Sequence, residues 1–517
     1  MMRPAREKRS LTNFEWTALL VGVAFIFGLL DRFLPGVQAG FPLNDGGMFL
    51  SMMRDLKSSG YALPGFTSYN LLQIPYAYPP LGFYLGRGIS DIFRASELDI
   101  LRWLPPLVNS LSVLAVFWLA AELLRSKPLG ALASAFYALT PGASSWFIMG
   151  GGLTRSLGSL FLLLSVFSVY RLFQNGNGKY LFLSILFCGL VALSHPEAGV
   201  HTAATCILLW LFFGRTWRSF LHALMVGVGV LIFSSQWWMT VISYHGLAPF
   251  ISAMNSGSYG IPVWKAWSGM ILGRESYLPI LAVLRVAGLA WGTWKKEYFL
   301  VAWAIFPYLV EPRSAPSVTF YPLSMLAALA FAEAFPYLVS HVKKNKLALE
   351  DLYKNTWFNA ILFLCLTYLF VESGLYGFRL VNNSLRPADL DAMNWVRENT
   401  PADASFLLLT GVPSPEIDPV VEWFPVLTER RSLSTVQGYE WLGAGKFMEY
   451  YTDLAQLQSC ESVQCAEDWA VRTDQEFQYV AIQAGQVSES LLASFAGAAN
   501  YSRVYATDSV VIYELKE

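Results

Sequence analysis

Asp45 is the residue whose type and position best suit chemistry. It stands in Phe41-Pro42-Leu43-Asn44-Asp45-Gly46-Gly47-Met48-Phe49, a few residues beyond a long apolar run, with two glycines after it. A carboxylate partly desolvated at a membrane surface can accept a proton from a hydroxyl or amine nucleophile. An Asp or Asn ahead of a helix such as 47–59 also serves as an ordinary N-cap, so a purely structural role stays open. Arg155 ends Gly150-Gly151-Gly152-Leu153-Thr154-Arg155 at the entry to another apolar run. Its guanidinium fork can bind a phosphate bidentately or can snorkel to lipid headgroups. The glycines beside it allow close backbone approach to a ligand, or simply a tight turn. His195-Pro196-Glu197, with His201 one turn further, offers a ring and a carboxylate that could contact substrate hydroxyls or a divalent metal, or form a polar interfacial turn. Arg274-Glu275 and Glu311-Pro312-Arg313 fall at the ends of apolar runs, where they can pair with each other or recognise phosphate. Tyr78, Trp423, Phe424, Tyr439 and Trp441 can stack on a planar or sugar face, or fill a core.

The elements that position these residues follow from composition. Of 517 residues, 55% are hydrophobic and only 14% are charged, too few polar side chains to cover a soluble surface. The chain needs lipid. Apolar runs of spanning or near-spanning length lie near 15–34, 104–124, 128–148, 156–174, 180–194, 199–213, 219–241, 277–293, 298–312, 316–339 and 357–375, which makes eleven. A twelfth run, 78–94, opens with Tyr78-Pro79-Pro80 and is broken by Gly82, Gly86, Arg87 and Gly88. Each crossing reverses the side of the next loop, so basic clusters test the count. With eleven spans, Arg125/Lys127, Arg171/Lys179, Arg215/Arg218, Lys295/Lys296 and Lys343/Lys344/Lys346 share the side of Arg3, Arg6, Lys8 and Arg9. A crossing at 78–94 would separate them, so that run is expected along the outer interface as a juxtamembrane helix. The N-terminus is then cytoplasmic, and residues 35–103, 149–155, 195–198, 242–276, 312–315 and everything after about 375 lie outside. Asp31-Arg32-Phe33-Leu34-Pro35 offers no cleavage site, so the first run reads as a span and not a signal peptide. No mid-membrane charge stands out in the spans.

The expected architecture is a polytopic α-helical membrane domain over 1–375, with juxtamembrane helices in its first outer loop 35–103, and a small extracytoplasmic α/β domain over 376–517. The last part changes character at Leu385-Arg386-Pro387. Asp389 to Arg397 is an amphipathic helical pattern, and Phe406–Leu409, Tyr479–Ile482 and Val510–Tyr513 are strand-like. Cys460 and Cys465 lie where disulfides persist and are expected to bond, whereas Cys188, Cys206 and Cys365 read as packing within spans. The net charge of −1 hides a strong segregation and says nothing about partners, and no nucleic-acid partner is expected. Without a glycine-rich phosphate loop, a CxxC pair or a tandem repeat, cytoplasmic nucleotide chemistry is not expected.

A first-loop acidic residue, then Tyr78-Pro79-Pro80-Leu81-Gly82-Phe83-Tyr84-Leu85, then Leu101-Arg102-Trp103 entering the next span, resembles the GT-C glycosyltransferases. That superfamily includes protein O-mannosyltransferases and lipid A aminoarabinose transferases. The likeness covers roughly residues 15–200, with a looser echo in Asp391 to Pro401. It implies a hexosyl- or pentosyltransferase of a prokaryotic cell membrane that takes a sugar from a polyprenyl-phosphate carrier on the outer face. The acceptor would be a protein, lipid or glycan. Asp45 would be the catalytic base, with Asn44, Arg155, Tyr78, His195, Glu197, Arg274 and Arg313 contacting substrate or phosphate. Two departures stand out. Many members show an acidic pair at the first-loop site, where this chain has Asn44-Asp45, and the Asp-x-Asp of metal-dependent oligosaccharyltransferases is replaced by Gly150 to Arg155. No metal or other cofactor is expected. A non-catalytic scaffold, or a transporter or binding protein for a lipid-linked precursor, is the rival reading.

Overall fold

The computed structural model describes residues 11–256, 262–338, 353–442 and 446–516. The basic groups Arg3 to Arg9 and Lys343 to Lys346 lie outside the described residues. Helix α1, Asn13–Ala39, starts at a capping box in which Thr12 and Glu15 satisfy each other's backbone N–H, and it stops at Gly40, whose φ of 71° suits glycine. After α2 (Gly47–Ser58) and α3 (Leu81–Phe93) come α4 (Glu97–Leu123), α5 (Lys127–Ala138), α6 (Ser145–Ile148), α7 (Gly152–Asn175), α8 (Gly178–Ala192) and α9 (Pro196–Phe213). Then follow α10 (Trp217–Phe233), α11 (Ser235–His245), α12 (Ala248–Met254), α13 (Val263–Leu272), α14 (Ile280–Trp294), α15 (Tyr298–Ile305), α16 (Pro307–Val310), α17 (Ala315–Leu329) and α18 (Thr356–Leu380).

Among the described residues, six helical runs are long and apolar enough to cross a membrane, those of α1, α4, α7, α9, α17 and α18. The pair α10 and α11, bent by 58°, makes a seventh if it is one broken span. The expected runs 180–194, 277–293 and 298–312 coincide with shorter apolar helices. Helix α5 has only 12 residues, and Leu129 to Ala138 are all buried among α1, α4 and α17. Gly130 makes that enclosure possible, because a Cβ there would sit 2.7 Å from the Ala121 backbone of α4. Short helices of this kind gain their place from packing and not from length. Exposed Phe182, Trp217, Leu231 and Ile232 form part of the apolar outer surface.

Acidic and arginine side chains are buried inside the bundle, against the expectation of none, among them Asp31 and Arg32 of α1, Arg285 of α14 and Glu372 of α18. Arg32 of α1 is 1% exposed and donates to Asn109 Oδ1 at 2.6 Å, Gly28 O at 2.9 Å and Ala138 O at 3.0 Å. Arg285 of α14 donates to Met270 O at 2.9 Å. Backbone carbonyls and the Asn109 amide oxygen accept from these guanidinium groups, partners that a hydropathy window does not reveal. Helix α3 has 13 residues, about 20 Å at the usual rise, well short of a bilayer core. It buries Gly82, Phe83, Gly86, Arg87 and Ser90 against α2, α4 and α7 and leaves Ile92 and Phe93 exposed.

Beyond α18 the chain forms α19 (Pro387–Asn399), α20 (Pro419–Thr428), α21 (Phe447–Leu457), α22 (Val463–Arg472) and α23 (Glu489–Gly497). Two short strands of the first loop, β1 (Phe66–Thr67) and β2 (Ile74–Pro75), pair with each other. The remaining strands are β3 (Ser405–Leu409), β4 (Arg431–Ser432), β5 (Tyr479–Gln483), β6 (Tyr501–Ala506) and β7 (Val510–Leu515). They form one sheet in the order β4-β3-β5-β7-β6, parallel across β4-β3-β5 and antiparallel across β5-β7-β6. β3 is buried along its whole length, as a central parallel strand covered on both faces must be. Its alternation assigns the two faces. Leu407 and Leu409 pack with Leu454, Trp469 and Phe495 of the unit's own helices. Phe406 and Leu408 join a core with Trp423 and Phe424 of α20 and with Phe49, Met53, Tyr76 and Phe83 of the first loop. The C-terminal α/β unit and the first loop therefore share one hydrophobic core.

Cys460 and Cys465 are disulfide-bonded with Cα atoms 5.6 Å apart. The bridge closes a short loop between α21 and α22. Cys460→Ser is expected to destabilise the C-terminal unit by about 2 kcal/mol on loop-closure grounds, read from thermal unfolding in detergent with and without reductant.

Candidate active site

Asp45 does not cap α2. The N-cap of that helix is Gly46, at a φ of 132° that only glycine adopts readily, preceded by Asn44 at 51°. Four contacts hold this strained loop. Gly150 N donates to Leu43 O at 3.0 Å, and Trp423 Nε1 donates to Asn44 O at 2.7 Å. Gly46 N and Met48 N both donate to Glu422 Oε1, at 3.1 and 3.3 Å. Glu422 of α20 thus supplies the cap that α2 lacks in its own sequence.

Freed from capping, the Asp45 carboxylate turns to the glycine loop ahead of α7. Gly151 N donates to Oδ1 at 2.9 Å, and the Arg155 guanidinium pairs with Oδ2. A Cβ on Gly151 would run into both the Arg155 guanidinium and the Asp45 carboxylate, so this glycine is needed for the pair to form. Arg155 is further oriented by donation to Trp146 O at 3.1 Å and by lying over the Trp146 ring, 5.3 Å from its centre. Asp45 and Arg155 are each 18% exposed, open enough for a ligand to reach them.

Arg155 also lines a cavity with His195, Glu197, His201, Ser314 and Tyr321. His195 caps α9 by accepting from Ala198 N through Nδ1 at 3.3 Å, so the proton of its neutral ring sits on Nε2. Burial pushes its pKa down to about 4, and the ring is a neutral donor at physiological pH. Glu197 pairs with the Arg313 guanidinium. Glu311 accepts from Arg313 N at 3.1 Å and Ser314 N at 2.7 Å, while His201 Nε2 lies 2.9 Å from Ser314 Oγ. Tyr78 OH is 3.3 Å from Thr154 Oγ1, and its ring meets those of Phe49, His195 and Trp441 edge-on.

The geometry resolves several alternatives left open by residue type. Arg313 pairs with Glu197 from the neighbouring turn, while the Glu311 carboxylate accepts from the Arg313 and Ser314 backbone N–H groups at the start of α17. Glu275 likewise accepts from Leu281 N at 2.9 Å at the start of α14, and Arg274 donates to Tyr376 OH at 2.6 Å, apart from the cavity. Asn44 is 1% exposed, with its amide donating to Glu416 O at 3.3 Å, so it shapes the loop from beneath. Trp423 and Phe424 are core residues at 0% and 3% exposure. Among the described residues no group of three His, Cys, Asp or Glu side chains is placed to hold a metal ion.

Glu422 went unread in the sequence. It is 2% exposed, and Oε2 has no hydrogen-bond partner. Burial, and then the nearby Asp45 charge, push its pKa up to about 8. Its one signal was a lone acid within Pro419-Val420-Val421-Glu422-Trp423-Phe424-Pro425.

Residues 77–239 match the family model described as dolichyl-phosphate-mannose-protein mannosyltransferase. The chain is 23% identical over 321 residues to the undecaprenyl phosphate-alpha-4-amino-4-deoxy-L-arabinose arabinosyl transferase of Edwardsiella ictaluri (strain 93-146). The solved archaeal oligosaccharyltransferase AglB from Archaeoglobus fulgidus, in complex with an inhibitory peptide and a dolichol-phosphate, superposes with a TM-score of 0.57 at 14% identity, over 98% of this chain and 74% of that one. ArnT from Cupriavidus metallidurans, bound to undecaprenyl phosphate, gives 0.53 at 14% identity over 96% and 97%. The chain therefore shares the overall fold of these two solved structures. Arabinofuranosyltransferase AftD from Mycobacteria shares this fold, with a TM-score of 0.54 at 14% identity, over 98% of this chain and 40% of that one. The aligned part covers 58% of this chain and 56% of the Edwardsiella protein. The family match takes in Tyr78, Arg155, His195 and Glu197, whereas Asp45 and Glu422 lie outside it.

The fit around Gly151 is testable directly. Gly151→Ala is expected to cost about 1–3 kcal/mol by overpacking, seen as a lower melting temperature in detergent. Gly374→Ala, in the middle of α18 with open space around it, should be neutral or stabilising by up to about 1 kcal/mol.

Proposed function

We propose that this protein is a GT-C glycosyltransferase that transfers a sugar from a polyprenyl-phosphate carrier to an acceptor on the outer face of the membrane, with Asp45 as the base. The observation that carries this reading is the Asp45–Arg155 pair at the mouth of a cavity. Carboxylate and guanidinium satisfy each other when nothing else is bound. A phosphate monoanion or dianion competes for the Arg155 fork, which suits it bidentately, and its arrival frees the Asp45 carboxylate. The acceptor hydroxyl or amine then gives its proton to Asp45 as it attacks the anomeric carbon. The bond from that carbon to the carrier phosphate breaks, and polyprenyl phosphate leaves with the electron pair. A phosphate leaving group needs positive charge more than a proton, which Arg155 supplies and Arg313 supports across the cavity. His195, neutral and with its proton on Nε2, can donate to a sugar hydroxyl or phosphate oxygen. Inversion at the anomeric carbon follows from a single displacement.

The names of the relatives agree on a dolichyl or undecaprenyl phosphate group and differ in the sugar, mannose against 4-amino-4-deoxy-L-arabinose. The substrate class proposed is accordingly a hexose or pentose on a polyprenyl phosphate, with a protein, lipid or glycan acceptor. The proposed topology has eleven crossings, a cytoplasmic N-terminus, and Asp45, Arg155, His195 and an extracytoplasmic domain over 376–517 on the outer face.

Reconstituted in liposomes with polyprenyl-phosphate mannose and aminoarabinose donors, wild type should transfer sugar to an added acceptor. Asp45→Asn should lose roughly 10²–10⁴-fold in turnover, the usual worth of a positioned general base. Undiminished transfer by that variant would remove Asp45 from the chemistry. Arg155→Gln should weaken both donor binding and turnover. For topology, cysteines placed at Gly88 and Ser126 should react with impermeant reagent from opposite faces, and labelling of both from one face would refute the eleven-crossing arrangement.

A further inference from the structure

Asp45 receives no help from its own neighbours in sequence to hold its loop. Asn44 and Gly46 sit at positive φ, and the two backbone N–H groups that open α2 point away from the loop toward α20. There one carboxyl oxygen of Glu422 accepts both. The same helix places the Trp423 ring edge on Asn44 O, and the Glu422 carbonyl accepts from Tyr69 OH at 2.6 Å. A Cβ on Gly47 would meet Glu422 O at 2.5 Å, so the two backbones touch at this point.

We propose that Glu422 is a positioning residue for Asp45, through which the C-terminal α/β unit sets the conformation of the catalytic loop. The inference rests on the reading of Asp45 as the base, and it adds a residue from a part of the chain that the family match does not reach. Glu422 does its work uncharged. Its surroundings offer two N–H donors to Oε1 and nothing to Oε2, in a buried site faced by Asp45 from the first loop, Glu440 from the turn Tyr439–Trp441 and Tyr69 from the turn Tyr69–Leu71. Two acids and a phenol face it, so an added proton is the least costly way to keep it there. Glu422 thus acts on the loop backbone, while Asp45 is the carboxyl that faces Gly151 and Arg155.

The sign of the pH dependence follows. The folded-state pKa, about 8, lies above the unfolded value of about 4.3, so the stability that Glu422 contributes is complete below the unfolded value. It is lost as pH rises toward 8. Glu422→Gln keeps an acceptor oxygen for Gly46 and Met48 and cannot ionise. Relative to that variant, wild type is expected to lose melting temperature between about pH 5 and 8 in detergent. Asp45→Asn, which removes the facing charge, should end this loss at a lower pH. These melting curves require no substrate, so they judge Glu422 even if transfer fails with every donor. In the transfer assay, Glu422→Gln should retain turnover within a few-fold and lose the alkaline decline, whereas Glu422→Ala should lose roughly 10²-fold in kcat through a misplaced Asp45. Parallel wild-type and Glu422→Gln melting curves across pH 5–9, or full turnover by Glu422→Ala, would overturn the proposal. If Asp45→Asn turns over normally while the melting curves behave as expected, the base assignment fails and the neutral contact of Glu422 with the loop stands.

Discussion

The contact between α20 and the first loop is the constraint on which the site depends. A loop at a membrane surface has few waters to pair its backbone, so its N–H and C=O groups need partners in the protein. Here Glu422 and Trp423 provide them, 376 and 379 positions along the chain from their partners Gly46 and Asn44. With those groups satisfied, two residues can rest at positive φ and the Asp45 side chain is released to face Gly151 and Arg155. The shared core of Phe49, Phe83, Phe406 and Trp423 stabilises the same junction by apolar burial. Membrane bundle and α/β unit thus build one site between them.

Electrostatic pairing gives the site its resting state. Asp45 with Arg155 and Glu197 with Arg313 are closed pairs, and each leaves an arginine fork that a phosphate could engage in place of the carboxylate. Burial tunes His195 and Glu422 in opposite chemical senses, both toward neutrality. His195 loses its charge by a lowered pKa and Glu422 by a raised one. Neutral donors and acceptors then surround these carboxylate–guanidinium pairs, an arrangement suited to a reaction in which negative charge passes from a carboxylate side to a phosphate side.

Much of the fold was legible because length and apolarity are local properties. Each of the eleven apolar runs coincides with a helical segment, and 78–94 contains a helix too short to span. The span count itself was less legible, since α5, α8, α14 and α15 draw on burial against neighbours that a hydropathy window does not see. Arg32 and Arg285 escaped for the same reason, their partners being carbonyls of other helices. Within the site, Asp45, Arg155, His195 and Glu197 were readable from residue type at run ends. Their mutual arrangement was not, because Arg313 finds Glu197 across 116 positions and Glu422 reaches the loop across 376. A lone acid in an apolar helix was the only local trace of that last contact.

The central claim is that Arg155 is shared, held by Asp45 at rest and taken by the carrier phosphate in the reaction. Equilibrium binding of undecaprenyl phosphate to purified wild type and Asp45→Asn, measured side by side at constant ionic strength, tests it most directly. The account predicts tighter binding by Asp45→Asn, because the lipid phosphate no longer competes with a carboxylate for the guanidinium. Equal or weaker binding by the variant would contradict it.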